Sequence, residues 1–370
     1  MGIDNLLDQV LKISKATDKA QTQLNKTVNY YRKSIMDDAV NTLRKNPKAN
    51  IKLFGIKDTN QIPTSFIEKL QQTEGFIFHT VDTMAEGGRA IDIKLTNPLT
   101  GKVMTGSSSG SCINVLLGIN DFAIGTDGGG SVLAPAISCG LYSIMGKGLG
   151  LRGSIKRQST DNIEFHPGLG IISNDLELCK EAVLNLIEGN KPVNNLKYKV
   201  AIPKNGTNIL PSGIDMFDLI ERIIQQSHLN LEVVEIKDQL PQERNTAISL
   251  IKDIFEEEVD LIITAEGPID YYNLGDSVLG QWGKTGQQTQ QNSGKYLVKV
   301  ANMVNATALS IPTEELATSI VLIAPQGIPQ GLKAIDFAEK ISLLYKRPQL
   351  FNKYFFESYK NNNKGFLDNF

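Results

Sequence analysis

TGSSSGSCINVLLGINDFAIGTDGGGS, residues 105–131, decides how this chain is read. Two Gly/Ser clusters flank two apolar runs, CINVLLGI and FAIG. Such clusters pack poorly but let backbone amides come close to a ligand. The second cluster sets Gly128, Gly129 and Gly130 directly before Ser131. Consecutive glycines permit a turn whose N–H groups all point one way. An oxyanion hole needs that arrangement, because its donors must be in place before charge develops on a carbonyl oxygen. A serine closing the turn is placed to attack, and VLAPAIS after it reads as a helix or turn that holds it. No GK[ST] follows, which argues against a phosphate-binding P-loop.

A serine hydroxyl is a weak nucleophile and needs a base. The three histidines, His79, His166 and His228, stand beside no recognisable Asp/Ser arrangement, and His79 reads as a core or strand-end residue. A lysine can serve if burial keeps it neutral. Lys57 follows the apolar run IKLFGI and is expected at a strand end, pointing inward. Lys52 competes for the role, as does Lys94, which sits in AIDIKL 13 residues before Ser107.

Outward from the centre, residues 1–46 have apolar residues at helical spacing and read as a helical region ended by Asn46-Pro47. IKLFGIKD (51–58), a helix over 64–74 capped by Thr64 or Ser65, and FIFHTV (76–81) suggest a parallel strand–helix–strand unit. Residues 174–189 read as a helix capped by Asn174 or Asp175 and stopped by Gly189. YKVAIP (198–203) and DLIITA (260–265) read as buried strands. The polar stretch 267–295 holds the only tryptophan and reads as a long functional loop, with Trp282, Tyr271 and Tyr272 as candidates for an acyl pocket. The tail 346–370 reads as a final helix with a loose end. With no repeat or linker in sight, residues 1–370 are expected to form one domain.

The bulk numbers exclude several classes. Lys and Arg number 38 against 40 Asp and Glu, so no nucleic-acid surface or polybasic membrane patch is expected. No run approaches the apolar length of a membrane span. The first residues lack a signal-peptide core, and Leu6 breaks the myristoylation pattern. Cys112, Cys139 and Cys179 are few, scattered and without metal spacing, so a cytoplasmic protein without metal or cofactor is expected.

GSSSGS (106–111) followed by GTDGGGS (125–131) resembles the signature of the amidase-signature family, roughly GGSSGGS then GTDxGGS. The 24-residue interval from Ser107 to Ser131 matches the family's spacing. IKLFGIKD resembles the family strand that carries a catalytic lysine. FIEKLQQTEGFIFHTVDTM (66–84), Asn97-Pro98, PAISCG (135–140), HPGLGIISNDLEL (166–178), NMVNATALSIP (302–312) and LIAPQGIPQGLKAIDFAEKI (322–341) align in order, so the resemblance runs from about residue 50 to 345.

The resemblance implies an α/β fold with a large mixed β-sheet core flanked by helices on both faces. It implies an amidohydrolase in which Ser131 is acylated, Ser107 relays the proton and is held by a cis peptide bond, and Lys57 is base and then acid. The amides of Gly128, Gly129, Gly130 and Ser131 would bind the oxyanion. Ser108 would support the triad by hydrogen bonding, and Asp127 would organise the loop. The substrate would be a small-molecule or peptide-like amide, and a homodimer is compatible with this reading. The alternatives are the amidase subunit of a glutamine-dependent transamidation complex and a non-catalytic amidase-like binding protein. Thr105 and Ser109 stand where the pattern has glycines. Leu133 stands where many relatives carry an arginine, which implies a neutral or more apolar substrate rather than a dicarboxylic half-amide.

Overall fold

The computed structural model describes residues 3–159, 162–187 and 197–357. The N-terminal region is not wholly helical. Helices α1 (Ile3–Thr22) and α2 (Ile35–Lys45) bracket a strand, β1 (Val28–Tyr31). VNYY is β-branched and aromatic, and pairing with a neighbouring strand overrides the helical surroundings. The expected parallel unit follows: β2 (Lys52–Lys57), α3 (Thr64–Gln72) and β3 (Phe76–Asp82). Pro63 precedes α3 in place of a side-chain cap, so Thr64 lies inside the helix.

A small hairpin of β4 (Ile91–Thr96) and β5 (Val103–Thr105) leads into α4 (Ser109–Leu116), β6 (Phe122–Asp127), α5 (Leu133–Ser138) and β7 (Tyr142–Met145). A short ribbon, β8 (Arg157–Gln158) with β9 (Glu164–Phe165), precedes β10 (Gly168–Ser173). Asp175 caps α6 (Leu176–Leu186) by accepting from Glu177 N at 3.0 Å. Gly189 lies outside the described residues. Then come β11 (Tyr198–Pro203), α7 (Met216–Gln226), β12 (Leu231–Ile236), α8 (Arg244–Glu256) and β13 (Leu261–Glu266).

The stretch 267–295 is not an unbroken loop. It holds α9 (Ser277–Gly280), capped by Asp276, and α10 (Gly283–Gln291), whose glutamines tolerate a helix despite their polarity. The chain closes with β14 (Thr307–Pro312), β15 (Ser319–Ala324), α11 (Ile328–Ser342) and α12 (Gln349–Phe355). The loose end expected after that helix lies outside the described residues.

Among the described residues eleven strands form one mixed sheet in the order β1-β3-β2-β6-β10-β7-β14-β15-β13-β11-β12. The run β3-β2-β6 is parallel, as is β13-β11-β12; the middle pairs are antiparallel. Helices cover both faces. Successive strand residues point to opposite faces, so Leu53 and Ile77 pack with Ile13 and Ile35 of α1 and α2, while Phe54 and Phe76 join Leu70 of α3 in the main core. A separate cluster seats the apolar α4 and part of α5 on Ala123 and Ile172. No helix among the described residues is long and apolar enough to cross a membrane.

Candidate active site

β2 and β6 are parallel neighbours, so their carboxyl ends reach the same edge of the sheet, where loops of α/β folds form crevices. β2 ends on Lys57, and β6 ends on Thr126 and Asp127, which open the glycine turn. The Lys57 side chain is 2% exposed. Its Nζ lies 2.7 Å from Ser107 Oγ, 2.8 Å from Thr126 Oγ1 and 3.3 Å from Thr126 O. Desolvation dominates its protonation and pulls its pKa from the ordinary lysine range down to about 7. Asp127 opposes that shift, and Arg157 adds to it. The competing lysines are elsewhere: Lys94 pairs with Glu86 on the surface, and Lys52 stands at the other end of β2.

Ser107 enters from the loop between β5 and α4. Gly106 turns the chain there with φ +73°, and a β-carbon on it would meet Pro135 Cδ at 2.6 Å, so only glycine fits. The cis bond expected at Ser107 is not found. Among the described residues the cis peptide is Gly267-Pro268, and the left-handed Gly106 delivers Ser107 to Lys57 through a trans bond. The support expected from Ser108 is also absent. Its buried Oγ has no hydrogen-bond partner among the described residues and packs against the backbone at Gly125.

Asp127 organises the turn through its carboxylate, which accepts from Gly130 N at 2.8 Å, Val132 N at 2.6 Å and Leu133 N at 3.4 Å. This narrows the expected oxyanion hole. The Gly130 amide is already engaged, while those of Gly128, Gly129 and Ser131 have no acceptor within the protein among the described residues. Gly130 has φ +95°, and a β-carbon there would come within 3.2 Å of Val298 O. That neighbouring turn is held by buried Glu266, which accepts from the amides of Tyr296, Leu297 and Val298 at 2.6, 2.9 and 3.0 Å.

Lys57, Ser107, Thr126, Gly128, Gly129 and Ser131 all line one cavity of about 510 Å³. Ser131 and Ser107 share no hydrogen bond among the described residues. Such bonds commonly tighten only when substrate is bound. The histidines do not line the cavity: His79 is buried with Nδ1 3.0 Å from Ile119 O, as a core residue would be. Trp282 is 75% exposed, and neither it nor Tyr271 and Tyr272 lines the cavity; their stretch contributes Asp276, Ser277 and Val278 instead. Leu133 is buried in the main core.

Sequence reasoning missed Thr126, Arg157 and Arg244. Thr126 was findable, since it sits inside GTDGGGS. The arginines carry no local signal and meet the site only through the fold.

The architecture is thus an α/β protein with a buried lysine–serine pair beside a glycine turn that ends in a serine, and its fold is that of the amidase-signature enzymes. A family model described as Amidase matches residues 94–163, the segment that contains both serines. Amidase 1 of Oryza sativa subsp. japonica is 34% identical over 122 residues, 32% of this chain and 26% of that protein; the aligned stretch spans about a quarter of the curated relative's length. The structure of 6-aminohexanoate cyclic dimer hydrolase complexed with substrate superposes with a TM-score of 0.60 at 13% identity, over 93% of this chain and 95% of that one. The peptide amidase PAM in complex with chymostatin gives 0.61 at 12% identity, over 90% and 94%.

Proposed function

We propose that the chain is an amidase that cleaves a carboxamide C–N bond through an acyl-enzyme on Ser131. The observation that carries this reading is a fully buried lysine with a pKa drawn down to about 7, 2.7 Å from a serine hydroxyl. A neutral amine has two N–H groups and one lone pair. With the N–H groups given to Thr126 Oγ1 and O, the lone pair is left facing Ser107, whose hydroxyl donates to it.

The steps then follow. Ser107 passes its proton to Lys57 as it takes the proton of Ser131. Ser131 Oγ attacks the amide carbonyl, and the amides of Gly128, Gly129 and Ser131 stabilise the oxyanion. The resulting ammonium of Lys57 returns a proton through Ser107 to the leaving nitrogen, and the C–N bond breaks. Water, deprotonated by the same relay, releases the acid from Ser131. Asp127 holds the turn rather than reacting. The three buried, unpaired cysteines suit the reducing cytoplasm where we place the enzyme.

A fluorophosphonate probe tests this. The adduct is expected on Ser131, absent in Ser131→Ala and strongly reduced in Lys57→Ala. An adduct that persists in Ser131→Ala ends the assignment.

A further inference from the structure

The glycine turn is gripped peptide by peptide. The unit joining Gly129 to Gly130 is held by its N–H, which donates to Asp127 Oδ1 at 2.8 Å. The unit joining Gly130 to Ser131 is held by its carbonyl, which accepts from Ala134 N at 2.8 Å as α5 begins. The unit joining Gly128 to Gly129 is also held by its carbonyl. Here the donor is a side chain from far along the sequence, Asn302 Nδ2, at 3.3 Å.

The C=O and N–H of a trans peptide point in opposite directions, and the cis bond among the described residues lies elsewhere, at Gly267-Pro268. A grip on a carbonyl therefore aims the next residue's N–H the other way. Asn302 is fully buried, whereas Gly128 and Gly129 line the cavity. The Gly129 N–H is thus turned from the packed side toward the cavity. The same rule turns the Ser131 N–H away from α5.

Asn302 has no freedom to turn its amide over. Its Oδ1 accepts from Gly168 N at 2.7 Å, which leaves Nδ2, the donor, for Gly128 O. Gly168 stands opposite Asp127 in the β6–β10 ladder, so the amide is anchored to the strand pair that ends at the turn. A β-carbon on Gly168 would come within 2.9 Å of Asn302 Oδ1 and 2.5 Å of Met145 Sδ, crowding that seat. The main-chain oxygen of Asn302 in turn accepts from buried Lys147 Nζ at 2.9 Å, just beyond β7.

We infer that Asn302 is a positioning residue: by holding the Gly128 carbonyl from behind, it presets the Gly129 N–H as an oxyanion donor. Donors fixed in advance stabilise developing charge without reorganising, and a glycine peptide left unheld is free to swing. The inference deepens the amidase reading and rests on it.

The rate at which a fluorophosphonate phosphonylates Ser131 tests it, because the phosphoryl oxygen takes the place of the oxyanion. Two variants of the full chain separate the roles. Asn302→Asp keeps an oxygen facing Gly168 N and loses the donor to Gly128 O; Asn302→Ala loses both. At saturating probe both are expected to label about tenfold to a hundredfold more slowly, less than or close to the cost of removing one donor outright. The probe's initial affinity should be unchanged. In Asn302→Ala the pH midpoint of labelling should stay near 7, since Lys57 keeps its own partners. A merely structural tie between the turn and β10 would survive in Asn302→Asp and fail only in Asn302→Ala. Should neither variant fold, the unmodified chain carrying isotope-labelled glycine decides. Phosphonylation should move the Gly129 amide proton farther downfield than that of Gly130, which Asp127 holds.

Parent-like labelling of Asn302→Asp, a loss carried by initial affinity alone, or a Gly129 amide that does not respond overturns the positioning role and leaves the amidase reading standing. No labelling of Ser131 in the parent sinks the amidase reading itself, and the positioning role goes with it.

Discussion

At the residue scale the proposed mechanism turns on one amine. In water Lys57 would be an ammonium at neutral pH and useless as a base; burial draws its pKa down to about 7 and brings the neutral form within reach. The sign follows directly. Below about pH 7 the protonated form dominates and cannot accept from Ser107; above it the neutral form does. Turnover should therefore climb with pH through a midpoint near 7 and level off, rather than climbing near 10.5 as an exposed lysine would dictate. Lys57→Arg keeps a charge that cannot be shed and should lose roughly 10²–10⁴-fold in kcat. Initial rates of 4-nitroanilide hydrolysis across the pH range read both. A flat profile, or an active arginine variant, removes Lys57 from the base role. That Ser107, Ser131 and Lys57 meet at one cavity was legible because two lie in one Gly/Ser segment and the third ends an apolar strand. Ser108 misled because neighbouring a reactive serine does not aim a hydroxyl at it. Arg157 and Arg244 were illegible because nothing near them in the chain hints at the turn they approach.

At the element scale the site depends on β2 staying flush against β3 and β6. Gly55, midway along β2, faces a buried polar cluster. Asp82 Oδ1 accepts from Thr80 Oγ1 and Asn114 Nδ2, both at 2.6 Å, and Asn120 Nδ2 donates to Thr80 Oγ1 at 2.7 Å. A β-carbon on Gly55 would stand 2.4 Å from Asn120 Nδ2 and 2.5 Å from Asp82 Oδ2. These groups are buried and interlocked, so they cannot yield cheaply. Gly55→Ala should cost about 1–3 kcal/mol by overpacking, seen as a lower urea midpoint at unchanged m-value, and should depress turnover by shifting Lys57. A midpoint equal to the parent's would mean the strand accommodates the methyl. The parallel unit 51–82 was legible since its strands are continuous apolar runs, as strands buried on both faces must be. β1 was not, because four residues between two helices carry too little pattern to outvote their surroundings. α9 and α10 were missed for a related reason: α9 is four residues long, and the glutamine-rich α10 has no apolar stripe to betray it.

At the scale of the whole molecule, strand composition named the class of sheet but not its order, because pairing between distant strands depends on tertiary fit rather than on local periodicity. The order matters for how separable the parts are. We propose that residues 1–370 act as one domain, and the N-terminal region is the place to test it. Ile13, Ile35, Ala39 and Leu43 of α1 and α2 are buried on Ile51, Leu53 and Ile77 of the strands behind the site. β1 also closes the open edge of β3, and Lys12 pairs with Asp121 just before β6. Removing residues 1–46 would bare that apolar face and leave β3 as an unprotected edge, which invites strand-to-strand association. Each large aliphatic side chain lost from cover forfeits about 1.5–3 kcal/mol, and three or four of them rival the 5–15 kcal/mol that stabilises a typical domain. A chain beginning at residue 47 should therefore be insoluble or melt far below the parent in calorimetry, even though every residue assigned to the catalytic relay is retained. A soluble truncated chain with the parent's melting temperature and probe reactivity would show that the first two helices are an appendage and that β2 and β3 need no cover from them.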